Sequence, residues 1–148
     1  MPSKTLVAKG LVERIGGKET GMLQIKIGEQ KTTEDAPFAN HSAALARVFA
    51  LLQELLGTDF SIDAVGHRVV HGGEYFTGST IIDDQARTEI DALKELASLH
   101  NPANLAGVYS CSELLGENIP QVACFDTSFH ATLSPTRYLY PLPRSLYT

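Results

Sequence analysis

Apolar and polar residues alternate over residues 21–28, GMLQIKIG, with Leu23, Ile25 and Ile27 on one face and Met22, Gln24 and Lys26 on the other. A period of two marks a half-buried strand. Upstream, TLVAKGLVERI over residues 5–15 reads as its hairpin partner across Gly16 and Gly17. Residues 29–39, EQKTTEDAPFA, interrupt the pattern with polar groups and Pro37 and read as a surface loop. The period then lengthens. Leu45, Val48, Phe49, Leu52 and Leu56 recur at helical spacing, with Asn40 or Ser42 suited to cap the helix and Gly57 to end it.

The stretch from Ala64 to Val70 is short and β-branched and closes at Gly72 and Gly73, which predicts a strand. A second helix is predicted from Asp84 to Ala97, its stripe formed by Ala86, Ile90, Leu93 and Ala97 and its positive end matched by Asp83 and Asp84. A third follows, with Asn101 as cap, Pro102 at the first position, Leu105, Val108 and Leu115 inward and Gly116 as stop. Val122 to Phe125 reads as a short buried strand, with Cys124 in the core and Asp126 at its end. This order predicts an α/β domain, a mixed sheet with flanking helices. In the tail over residues 134–148, Pro135, Pro141 and Pro143 alternate with Tyr138, Tyr140 and Tyr147, aromatics placed to pack on something.

Composition narrows the classes. At 148 residues, 43% hydrophobic and 20% charged, the chain suits one globular domain rather than two, and excludes disordered or collagen-like chains. Twelve basic against 17 acidic residues give a formal charge of -5, and the basic ones are scattered, so nothing favours a nucleic-acid partner. Two cysteines make no disulfide framework and fit a reducing compartment. MPSKTLVAKG has no signal-peptide run, and no window approaches the roughly 20 apolar residues of a membrane span. The expectation is a cytoplasmic chain with no membrane partner.

Three segments hold residues that fit chemistry. In GHRVVHGG, residues 66–73, Arg68 sits within an apolar strand pattern. A guanidinium keeps its proton, so it must be paired there: the plain reading is an arginine snorkelling from a sheet edge or bonded to a structural carboxylate, the functional one a fork that clamps a carboxylate or phosphate ligand bidentately. Val70 shares its strand face, and the glycines beyond permit close approach of backbone to a ligand. His67 and His71 would lie about 13 Å apart on a strand, too far to share a metal ion. In LHNPAN, residues 99–104, His100 stands before a helix start, where amides attract anions and an imidazole can donate to a phosphoryl oxygen. The alternative is a plain surface or capping histidine. In CFDTSFH, residues 124–130, Asp126 follows a strand at the carboxyl end, where ligands of α/β sheets gather. It can orient a reacting group, accept a proton or hold a magnesium-bound phosphate; the plainer role is capping the turn at Thr127 or Ser128.

Taken together, GHRVVHGG, LHNPANLAGV and QVACFDTSFH, followed by YLYPLPRSLY and preceded by VAKGLVERIG, resemble the acetate kinase family in order, spacing and wording, over about Leu6 to Tyr147. The resemblance implies a ribonuclease H-like domain of the sugar kinase, heat-shock cognate and actin superfamily. It implies reversible transfer of the γ-phosphoryl group of ATP to acetate, giving acetyl phosphate and ADP with Mg²⁺, in a homodimer. It also implies roles: Arg68 for the substrate carboxylate and phosphoryl group, His100 for the transferring phosphoryl group, Asp126 as active-site aspartate, and Val70 and Leu99 for the acetate methyl. A valine at position 70 favours acetate over propionate, by the modest ~1–3 kcal/mol that one methylene carries.

The resemblance has gaps. The family opens with a strand and an Asn-x-Gly-Ser-Ser-Ser-x-Lys phosphate loop, where this sequence reads MPSKTLVAK. A later Phe-His-Gly-Thr motif, a second arginine, the adenosine-binding segments and a magnesium-ligand glutamate have no counterpart either. The expectation is therefore an incomplete, acetate-side N-terminal domain over residues 1–148, with little turnover by itself and most of the ATP and Mg²⁺ site missing. Competing expectations are a non-catalytic carboxylate- or anion-binding or assembly module, or a propionate kinase.

Overall fold

The computed structural model describes residues 4–146. They form two compact units: one takes the chain up to Val65 together with Ala106–Pro120, the other takes Gly66–Leu105 and the residues from Gln121 onward. Tyr147, part of the expected aromatic tail, lies outside the described residues.

The first unit is built on an antiparallel sheet of β1 (Lys9–Glu13), β2 (Gly21–Ile27) and β3 (Gln30–Ala36), in that order. β1 and β2 form the expected hairpin, and Leu23 and Ile25 are buried as the alternation requires. Residues 30–36, expected as loop, are instead a strand. Ile27 pairs with Gln30 across a two-residue turn in which Gly28 takes φ +56°, a conformation suited to glycine. Glu34 hid the strand, because it puts a carboxylate opposite Leu23. Arg47 satisfies it with two hydrogen bonds of 2.8 and 2.6 Å. Arg47 belongs to α1 (His41–Leu56), capped by Asn40, whose Oδ1 accepts from Ala43 N–H. Leu23, Ile25, Phe38, Ala44 and Leu51 form the core, with Val48 and Leu52 half-buried against it.

The second unit, from Gly66 on, holds a sheet ordered β4 (Val65–Val69, its first residue in the other unit), β6 (Gln121–Phe125), β5 (Thr80–Ile81), with β5 antiparallel to β6. In β6 the buried residues are Gln121, Ala123 and Phe125, so Cys124 falls on the opposite face and is exposed. The expectation of Cys124 in the core fails on this period of two; Cys111 is the buried cysteine. α2 (Asp84–Ala92) is capped by Asp83 and passes into a 3-10 turn at Leu93–Glu95, short of the predicted end. The predicted stripe Ala86, Ile90, Leu93 and Ala97 is buried throughout.

α3 (Asn101–Leu115) begins in this unit and ends at Gly116, φ +85°. Asn101 does not cap it. Its amide is fully buried and bonded to His71 and Ile90. Beyond β6 come a 3-10 turn at Asp126–His130, the short helix α4 (Pro135–Tyr138) and a turn at Arg144–Leu146. The tail tyrosines Tyr138 and Tyr140 are exposed, and with Leu142, Leu146, His71 and Leu96 they border an open groove of about 580 Å³. Among the described residues, no helix is long and apolar enough to cross a membrane.

Candidate active site

All five candidate residues fall in the second unit. β4 alternates, so with Val69 fully buried its neighbour Arg68 faces outward. β6 lies beside β4, and Asp126 is the first residue after it. Neighbouring strands bring the two side chains together although 58 positions separate them in sequence. Arg68 Nε donates to Asp126 Oδ1 at 2.9 Å and Oδ2 at 3.2 Å, and Nη2 donates to Oδ2 at 2.8 Å. Asp126 therefore takes one edge of the fork. The Nη1 hydrogens and the second Nη2 hydrogen belong to the other edge, which has the geometry to receive a second carboxylate or a phosphoryl group.

The partner of Arg68 is thus a carboxylate of the fold, as in the plainer reading, and the ligand-clamping reading falls to the other edge of the fork. The capping role for Asp126 is not what forms. The 3-10 turn has no side-chain cap, while Ser128 Oγ donates to the Phe125 carbonyl at 2.7 Å and Thr127 Oγ1 accepts from Gly72 N–H at 2.9 Å.

Hydrogen bonding from Arg68 holds the Asp126 carboxyl below the usual carboxylate range against the opposing effect of burial, with smaller help from the charges of Arg68 and His100. The same bonds hold the Arg68 guanidinium above its ordinary value. For an acid whose folded value is depressed, the stabilisation is complete above the unfolded value and disappears as pH falls through the folded one. Carboxyl ¹³C titration is expected to place Asp126 below ordinary aspartates, and Arg68→Ala to move its midpoint upward. An unmoved midpoint would contradict the pairing.

His100 ends the segment entering α3: its N–H donates to the Ala97 carbonyl and its own carbonyl accepts from Asn104 N–H. Leu99 beside it is 85% exposed, which leaves its side chain available to a ligand's alkyl group. Val70 is half-buried just past β4 and donates its N–H to Asn104 Oδ1 at 3.2 Å. Three other histidines have separate partners. His67 Nε2 meets Gln121 Oε1 at 2.7 Å, and burial pushes the imidazole below its ordinary value against the opposing effect of that bond. His71 Nδ1 accepts from Gly73 N–H, and His130 packs edge-on against Phe129. Sequence reasoning passed over Asn104 and Thr127 and gave Asn101 the wrong task. The spacing of Asn101 and Asn104, one turn apart at a helix start, was the available signal.

The Acetokinase family profile matches residues 1–148. The chain belongs to this family. Among acetokinase relatives, the acetate kinase of Oceanobacillus iheyensis is 45% identical over 99% of this chain and 37% of its own length. A propionate kinase of Salmonella typhimurium is 44% identical over 99% of this chain and 36% of its own. The crystal structure of Porphyromonas gingivalis acetate kinase superposes with a TM-score of 0.89 at 36% identity, over 99% of this chain and 37% of that one. A Francisella tularensis propionate kinase superposes at 0.85 with 35% identity, over 95% and 35%. The mixed α/β architecture with flanking helices is thus that of acetate and propionate kinases. This acetokinase chain spans little more than a third of the length of these relatives.

The family resemblance also implies Mg²⁺. Among the described residues, no three His, Cys, Asp or Glu side chains gather as a metal site. Both oxygens of Asp126 face the Arg68 guanidinium, whose charge repels a cation. Asp126 is the one candidate carboxylate for a magnesium-bound phosphate at this site, and both its oxygens are engaged by Arg68.

Proposed function

We propose that these residues form the acetate side of an acetate kinase, in which the γ-phosphoryl group of ATP passes reversibly to acetate. The observation that carries the reading is the Arg68–Asp126 pair, its second guanidinium edge unused by Asp126, in a chain of the acetokinase family. An acetate oxygen attacks the γ-phosphorus, the bond to the bridging oxygen of ADP breaks, and ADP leaves. Acetate is already ionised at neutral pH, so the step needs no general base. Asp126 then serves to orient Arg68. The guanidinium binds the carboxylate and the charge on the transferring group, and His100 donates to a phosphoryl oxygen. Val70 and Leu99 contact the methyl group.

The resemblance assigns most of the ATP and Mg²⁺ site, and the homodimer contacts largely, to the length that the relatives have beyond the matched third. The domain assignment, an acetate-side N-terminal domain, belongs to the same proposal. Propionate is the second reading, supported by the propionate kinase relatives; an added methylene against Val70 and Leu99 is expected to weaken binding modestly rather than abolish it.

Isothermal titration with acetate and with inorganic phosphate tests this. Saturable binding of both is expected, with resonance shifts at His100 and Val70; silence for both sinks the reading. With ATP, Mg²⁺ and acetate, the 148 residues are expected to yield little acetyl phosphate. Robust magnesium-dependent product from pure chain would show that they suffice for turnover.

A further inference from the structure

The start of α3 carries two asparagines one helical turn apart, and both side chains reach to the chain leaving β4. Asn101 is fully buried. Its Oδ1 accepts from His71 N–H at 3.2 Å, and its Nδ2 donates to the carbonyls of His71 at 3.0 Å and Ile90 at 3.4 Å. Asn104 Oδ1 accepts from Val70 N–H at 3.2 Å. An amide bonded to both backbone groups of one residue acts like a strand partner and holds the peptides on either side of it. A buried amide deprived of those bonds is costly, which selects this arrangement over looser ones.

Chain connectivity gives the bonds their meaning. Leu99 and His100 directly precede Asn101, and Val70 directly precedes His71. Three side chain–backbone bonds therefore tie the segment bearing Val70 to the segment bearing Leu99 and His100. None of them involves Arg68 or Asp126, which are joined to each other.

We propose that Asn101 and Asn104 are positioning residues that set Val70 against Leu99 and His100, with Asn104 tuning the fit of the substrate's alkyl group through Val70. The proposal rests on the acetate-side reading. The Arg68–Asp126 clamp and the Val70 contact are then held by separate bonds, so cutting the Asn104 bond to Val70 is expected to affect acetate more than phosphate.

Acetate and inorganic phosphate are titrated into the parent chain, Asn104→Ala, Asn104→Asp and Asn101→Asp. Asn104→Ala is expected to weaken acetate about three- to tenfold and leave phosphate within about twofold. Asn104→Asp keeps an acceptor for Val70 N–H but adds a negative charge, so it is expected to recover the Val70 contact and only part of the acetate affinity, above that of Asn104→Ala. Asn101→Asp keeps the acceptor for His71 N–H but loses both donated bonds, so acetate weakens and the Val70 and His100 amide resonances move. Hydrogen exchange reads the same bond without ligand: the Val70 amide exchanges faster in Asn104→Ala than in Asn104→Asp, while Ile90 is unchanged. Equal acetate binding in the parent and Asn104→Ala, parallel loss of acetate and phosphate in Asn104→Ala, or equal Val70 exchange in the two Asn104 variants overturns the asparagine roles alone. A parent chain that binds neither ligand overturns the acetate-side reading, and the asparagine roles with it.

Discussion

Arg68→Ala is expected to weaken acetate and phosphate binding by about tenfold or more, the scale of losing charge-assisted hydrogen bonds to an anion. The side chain is 78% exposed, so its removal leaves no cavity and the circular dichroism spectrum should stay that of the parent. Two effects act in the same direction. The ligand loses the free edge of the fork, and Asp126, no longer neutralised, adds a negative charge that repels the incoming anion. Arg68→Lys keeps a positive charge but cannot hold Asp126 by one edge and a ligand by the other, so it should recover only part of the loss. Asp126→Asn separates the two effects: repulsion disappears while the orientation of Arg68 weakens. Binding by Arg68→Ala within about twofold of the parent would remove Arg68 from the site.

Gly72→Val is expected to destabilise the second unit by about 1–3 kcal/mol, the usual cost of overpacking. Gly72 is buried, and a Cβ there would stand 3.0 Å from Phe125 Cγ and Cδ1 and 3.0 Å from Phe76 Cβ. The rings of Phe76 and Phe125 stack at 4.4 Å and 11°, so neither can yield without disturbing the other. Phe125 immediately precedes Asp126, and Gly72 N–H is bonded to Thr127. The wedge should therefore also weaken acetate binding by displacing Asp126. Urea unfolding followed by tyrosine fluorescence, with acetate titration of the folded variant, checks both. A variant as stable as the parent would show that the stack gives way easily.

Much of the fold was legible where one periodicity ruled one element. In β2 the alternation of Leu23 and Ile25 was enough, and in α2 the stripe from Ala86 to Ala97 with Asp83 as cap was enough, because each buries a single apolar face. β3 was not legible. Its inward Glu34 is satisfied by Arg47 from another element, and local pattern cannot announce a partner 13 positions away. Cys124 misled for a related reason: an apolar run does not reveal which residues of a short strand face inward until a neighbour is present on one side.

The candidate site divides in the same way. Residue type and position marked Arg68, His100 and Asp126 individually, since an arginine in an apolar strand, a histidine at a helix start and an aspartate at a strand end each call for an explanation. That Arg68 and Asp126 form one unit depends on β4 lying beside β6. Asn101 looked like a cap because asparagine before proline satisfies the local rule. Its amide turned instead to the His71 backbone, which only the folded chain brings within reach.

By itself, then, the sequence determined the family, most of the elements and the chemical types at the site, because these reside in periodicity and in motifs a few residues long. Tertiary structure decided which carboxylate Arg68 holds, where Asn101 and Asn104 direct their amides, and that β3 exists. Those choices are hydrogen bonds and ion pairs between segments distant in sequence. Their partners become neighbours only when burial of the shared core brings the segments together.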